Sequence, residues 1–179
     1  MQSPSHYTRT AVALHWLLAL LLAAGFTLGV TMTDLAMSPR KVRWFAYHKW
    51  IGITALGVVA VRFLWRLAHR PPPDLPMPGW QRLAAHATHW LLYLLMVATP
   101  LCGWLYTSAK GYPVVYLKLW QLPDLIPKNE AVAKVLVQVH ATLAWTLLSV
   151  VVLHVAAAFK HHFVDRDPTL RRMWSWGRP

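Results

Sequence analysis

The sequence predicts an all-α fold, a transmembrane four-helix bundle with two cofactor sites stacked across the membrane. Three observations lead there. Hydrophobic residues make up 56% of the 179-residue chain, and they collect into four long runs instead of alternating through short amphipathic elements. Each run reaches the roughly 20 residues that a helix needs to cross a bilayer, with very few charges in its core and no wide polar face of the kind a soluble helix shows. Six of the ten histidines fall inside these runs: His15, His48, His86, His89, His140 and His154.

The predicted spans are residues 10–32, 44–68, 83–107 and 132–159, read as a single membrane domain over 1–179. The first follows Arg9 and contains the small residues Ala23, Ala24 and Gly25, which gives it some character of a cleaved secretory signal. It stays apolar through Val30, however, longer than a signal's apolar region, and it is read as a retained span. A short polar hop over 33–43 ends in Arg40, Lys41 and Arg43 and leads into the second span. Between the second and third, Pro71, Pro72, Pro73, Pro76 and Pro78 forbid a helix and favour a stiff, extended spacer. The longest connection, 108–130, is too apolar for a free loop. It is expected in the membrane interface beside the His48 end of the bundle. Asn129 before Glu130 is the expected cap of the last helix.

Charge is one-sided, with 18 Lys and Arg against 6 Asp and Glu. The cations sit mostly at span ends and in connections, where lipid headgroups and cofactor carboxylates are the available anions, so nucleic acid is not an expected partner. Four spans put both termini on one side. That side holds ten basic residues against eight opposite, a small excess that assigns the termini to the cytoplasm. The eight are Arg40, Lys41, Arg43, Lys49, Lys110, Lys118, Lys128 and Lys134, opposed by only Asp34, Asp124 and Glu130. Cys102 is the single cysteine, so neither an internal disulfide nor a thiolate metal cluster can form.

The histidines carry the chemistry. A lone histidine in a span is readily explained as a polar group bonded to a neighbouring helix; six are harder to explain that way. His140 and His154 are 14 residues apart, close to four helical turns, so both leave one face of the last helix at levels roughly 21 Å apart. Distance from span ends sorts the others: His48 lies at the level of His140, whereas His15, His86 and His89 lie with His154 near the termini. Ligating an iron porphyrin from both faces takes two imidazoles at one level on different helices. His48 with His140 is the available pair on its side. On the terminal side His154 has three candidate partners, of which His15 best matches its distance from the span end.

Arg62 follows His48 by the same 14 residues, which aims it toward the terminal-side site. Snorkelling to the interface is the alternative use of such a residue, but a haem propionate is the anion it would seek in hydrocarbon. Gly52 and Gly57 offer a smooth helix surface for a flat macrocycle or for helix packing. The tryptophans of His15-Trp16, His48-Lys49-Trp50 and His89-Trp90 read as an aromatic belt.

Several of these residues are similar to those of a known family. His15-Trp16, the His48 start of the second span, Arg62 with Arg66, Ala85-His86-Ala87-Thr88-His89 followed by Tyr93-Leu94-Leu95, Pro100, and the last helix with His140-Ala141-Thr142-Leu143-Ala144, His154, Ala156-Ala157-Ala158 and His161-His162 resemble the bacterial cytochrome b-561 family. The likeness covers nearly the whole chain and is most specific in the last helix. It implies a four-helix protein of the cytoplasmic (inner) membrane with two haem b groups, one held by His15 and His154 and the other by His48 and His140. It also implies electron transfer to or from a membrane quinone, with oxidation of superoxide at the outer side and ubiquinone as acceptor in one member. His86 and His89 are then left for a propionate or a quinone carbonyl.

Two other functions compete with a quinone-linked oxidoreductase. One is a haem-bearing membrane anchor for a separate redox partner protein, such as a periplasmic hydrogenase. The other is a histidine-lined metal transporter, which is disfavoured because no acidic residue lies in a span core.

Overall fold

A computed structural model of the chain describes residues 6–174. It contains four long helices, α1 (Arg9–Thr33), α2 (Pro39–Ala68), α3 (Gly79–Lys110) and α4 (Glu130–Phe163), each long and apolar enough to cross a membrane. A short hairpin, β1 (Val115–Tyr116) with β2 (Trp120–Gln121), and a four-residue helix α5 (Arg171–Trp174) complete it.

The helices overrun the apolar runs, and caps explain where they begin. Ser38 accepts from the Lys41 amide at 3.3 Å and Pro39 occupies the first turn, a position where its missing N–H costs nothing. Arg40, Lys41 and Arg43 therefore belong to α2, and the preceding connection shrinks to 34–38. Asn129 caps α4 as expected, accepting from the Ala131 and Val132 amides at 3.0 and 3.1 Å. At the far end of α3, Gly111 takes the left-handed conformation, φ 73°, that closes a helix with its N–H folded back. Residues 70–78 contain no helix, in line with their prolines.

α1 packs along α2 and α3 along α4, with α2 against α3 joining the two pairs. α1 and α4 meet through side chains, among them Phe26 and Trp145, whose ring centres are 4.9 Å apart. A buried cluster of Leu92, Leu95 and Leu147, with Leu22 and Leu143 against it, sits midway along the bundle. Large apolar side chains also point outward, such as Leu20, Leu94 and Leu153, each more than 60% exposed. A surface this apolar suits lipid, not water, and in lipid the helices are held by packing and interhelical hydrogen bonds.

The 108–130 connection folds back on the His48 end of α2, as expected of its apolar content. Trp50 Nε1 donates to the Val115 carbonyl at 2.7 Å, Lys49 Nζ to the Pro113 carbonyl at 3.0 Å, and Thr54 and Tyr116 hydroxyls lie 2.9 Å apart. Its hairpin carries no glycine at the turn, so Leu117 and Lys118 adopt φ 51° and 63°, a conformation costly for side chains with a Cβ. At the other end, Trp16 Nε1 donates to the Met173 carbonyl at 2.7 Å and Arg172 to the Pro73 carbonyl at 2.8 Å. The segment after α4 is thereby folded under the terminal face. His161 Nδ1 anchors it, 2.9 Å from Asp165 and 2.8 Å from Asp167. Burial alone would raise the Asp167 pKa, but hydrogen bonds from Thr169 and His161 outweigh it and hold this carboxyl below its ordinary value. Trp16 and Trp50 thus tie these segments to the bundle.

We expect Asn129→Ala to cost about 1 kcal/mol, read as a lower midpoint of thermal unfolding in detergent, and Asn129→Gly only a few tenths. Equal losses for the two would show that the cap does not define the start of α4.

Candidate functional site

Two groups of rings lie at two levels of the bundle. At the level of the long connection, His48 of α2 and His140 of α4 have ring centres 6.1 Å apart with planes at 89°. Each ring is held in the same way. His48 Nδ1 donates to the Gly25 carbonyl of α1 at 2.9 Å, and His140 Nδ1 donates to the Thr99 carbonyl of α3 at 2.9 Å. A carbonyl oxygen only accepts, so both Nδ1 atoms carry their proton and both Nε2 atoms keep a lone pair. That is the tautomer a metal requires of imidazole, with its orientation fixed from the far nitrogen.

One turn beyond each accepting carbonyl, a glycine makes room for the ring. A Cβ at Gly29 would stand 3.2 Å from His48 Cε1, and one at Gly103 would stand 3.0 Å from His140 Cε1 and 3.1 Å from its Nδ1. Both rings therefore press against bare helix backbone. The sequence reading singled out Gly52 and Gly57 instead. A Cβ at Gly52 would stand 3.8 Å from Pro100, an ordinary helix-packing contact, and one at Gly57 would meet nothing within 4 Å. Gly29 and Gly103 were missed, although a signal existed: they follow His15 and His89 by the 14 residues that separate His48 from Arg62 and His140 from His154. The four helices share that spacing.

At the terminal level, His154 of α4 stands between two partners. Its ring centre is 6.2 Å from that of His15 on α1 and 5.4 Å from that of His89 on α3. His86 does not join them as its sequence neighbour does; its Nε2 is 3.0 Å from Asp74 Oδ2, tying α3 to the proline-rich connection. The guanidinium of Arg62 lies within electrostatic reach of both His15 and His154. Its Nη1 donates to the Ala11 carbonyl at 2.7 Å, so α1 steadies it and its remaining N–H groups are still available to an anion.

The arrangement passes the test for a haem ligated on both faces. With a metal–nitrogen distance of about 2 Å and about 1 Å more to each ring centre, two imidazoles sharing one iron would have centres roughly 6 Å apart, close to the 6.1 Å of His48 with His140 and the 6.2 Å of His15 with His154. Two buried hydroxyls, of Thr99 and Tyr93, lack a hydrogen-bond partner among the described residues. The cluster of Leu92, Leu95 and Leu147 lies between the levels. Known proteins are similar to this chain over nearly its whole length. The family described as "Prokaryotic cytochrome b561" matches residues 6–176. "Cytochrome b561 homolog 2" of Escherichia coli (strain K12) is 35% identical over 96% of this chain and 92% of its own length. "Probable superoxide oxidase CybB" of Yersinia pestis is 31% identical over 93% of this chain and 94% of its own. Helices, histidine levels and sequence likeness converge: this chain belongs to the prokaryotic cytochrome b561 family, whose members bind b-type haem in the membrane.

Proposed function

We propose that this membrane cytochrome holds two haem b groups and passes electrons between an outer donor and a membrane quinone, with superoxide as donor and ubiquinone as acceptor. The observation that carries the reading is the His48/His140 pair, two imidazoles with Nδ1 tied to helix carbonyls and Nε2 left for a metal, standing four turns above a second cluster on the same helix α4. Haem, when bound, supplies a reversible one-electron store whose axial ligands and surroundings set its potential. The chain's own part is to orient the four rings, to supply Arg62 as a counter-charge for a propionate, and to keep water from the apolar middle of the bundle.

On the terminal side His15 is the proposed partner of His154, with His89 left for a propionate or quinone carbonyl. Superoxide fits the basic end. Lys110 is paired with Glu130 at 2.9 Å and Lys49 and Lys41 bond backbone carbonyls, yet the excess of eight cations over three acids there remains. Such a field concentrates small anions. Two superoxide ions give up one electron each and leave as oxygen; a quinone takes both electrons, with two protons, to become a quinol. The proposed setting is the bacterial cytoplasmic membrane with both termini in the cytoplasm.

The purified protein should contain two low-spin haems. His48→Ala and His140→Ala should each lose the same one, His154→Ala the other, and His15→Ala should match His154→Ala, all read from absorbance and haem-to-protein ratio. If His89→Ala loses a haem while His15→Ala keeps two, His89 is the terminal-side ligand.

Gly103→Ala should lower occupancy or shift the potential of the His48/His140 haem, because its Cβ would lie 3.0 Å from the ring. Gly79→Ala, with nothing within 4 Å, should leave it unaltered. An unperturbed Gly103→Ala protein would remove the glycine seat from the site.

The rate of reduction by superoxide should fall as ionic strength rises, since screening shortens from about 30 Å at 0.01 M to about 8 Å at 0.15 M. A rate independent of salt would exclude electrostatic capture.

A further inference from the structure

An open cleft at the terminal face lies between the start of α1, the end of α2 and Tyr93 of α3. Arg62 and Arg66, one turn apart on α2, and Arg70, two residues beyond its end, line it. Arg62 is held by the Ala11 carbonyl. No carboxylate neutralises the other two among the described residues. Of the three acids at this end, Asp74 is engaged by His86, Asp165 by Lys160 and His161, and Asp167 by His161. The Tyr93 hydroxyl, buried and without a hydrogen-bond partner in that description, belongs to the same cleft. α1 begins here with no acidic residue in its first turn, so its positive pole adds to the field. The lining thus offers two guanidiniums and a phenol, all hydrogen-bond donors.

The wall beside them is apolar. Trp65 stacks on His69 with ring centres 3.9 Å apart and planes at 10°, and its Nε1 donates to Thr8 Oγ1 at 2.9 Å. Tyr7 also lines the cleft. Aromatic residues at the ends of membrane helices sit at headgroup level, where the phosphates of anionic lipids lie. A phosphate carries enough oxygens for Arg66, Arg70 and Tyr93 together, and its glycerol can rest on the Trp65–His69 stack.

We propose that this cleft is a binding site for the phosphate of an anionic phospholipid, gripped by Arg66, Arg70 and the Tyr93 hydroxyl. The site does not depend on how the histidines are paired. Occupation pins the end of α2 to α1 and α3 on the face where the terminal histidine cluster lies.

Native mass spectrometry of the delipidated, haem-loaded protein tests it, with titration by phosphatidylglycerol, phosphatidylcholine and inorganic phosphate. The wild-type protein should retain one phosphatidylglycerol in preference to phosphatidylcholine, against millimolar phosphate. Arg66→Gln/Arg70→Gln should weaken this about tenfold or more, and Tyr93→Phe, a milder change should the double variant not fold, by a smaller factor. Arg40→Gln/Arg43→Gln, at the opposite end of the bundle, should retain the lipid. Equal retention of the two lipids, or retention by the double variant, overturns the proposal. Displacement of the lipid by free phosphate assigns the cleft to a soluble anion and also overturns it. Loss of a haem from the double variant with lipid retention unchanged would assign these arginines to haem carboxylates instead.

Discussion

Hydrocarbon offers an imidazole N–H nothing to bond, so a histidine inside a membrane helix must find its acceptor on another helix. In this protein the acceptor is helix backbone. His48 reaches the Gly25 carbonyl and His140 the Thr99 carbonyl, and each bond does three things at once. It satisfies the proton on Nδ1, leaves the lone pair of Nε2 free for a metal, and ties two neighbouring helices together. Because the ring edge that reaches the carbonyl comes close to the partner helix, a side chain one turn on would crowd it. Gly29 and Gly103 meet that demand.

The same constraint is met twice, once between α1 and α2 and once between α3 and α4, which gives the bundle an approximate internal repeat. The first helix of each pair carries a histidine and, 14 residues later, the glycine seat: His15 and Gly29, then His89 and Gly103. The second carries His48 and Arg62, then His140 and His154. At the terminal level the repeat leaves two equivalent histidines facing His154, with Arg62 where its counterpart would be. Three imidazoles and a guanidinium make that level more polar than the His48/His140 pair. It is also the level covered by the proline-rich connection and the segment after α4, both tied down by hydrogen bonds.

Charge follows the same division. The His48/His140 end gathers cations around a hairpin anchored to α2 by Trp50 and Lys49. At the terminal end, His161 and Lys160 consume two of the acids and His86 the third. Carboxylates are scarce enough that arginines near the terminal cluster are left to seek anions from outside the chain, whether from a cofactor or from lipid.

The sequence by itself determined the number of membrane-length helices, their approximate limits and the sorting of histidines by depth, because each follows from hydrophobic length and from a spacing of 3.6 residues per turn. The helix starts at Pro39 and Gly79 were less legible, since caps and the amphipathic first turns extend beyond the apolar runs. Contacts between helices were not legible at all. That His86 turns to Asp74 while His89 meets His154, that Gly103 and not Gly52 seats a ring, and that Arg62 rests on Ala11 depend on how each helix is rotated about its axis and which neighbour it faces. Tertiary packing decides that rotation, because a single helix carries its side chains at fixed angles but holds no record of the direction in which its neighbours stand.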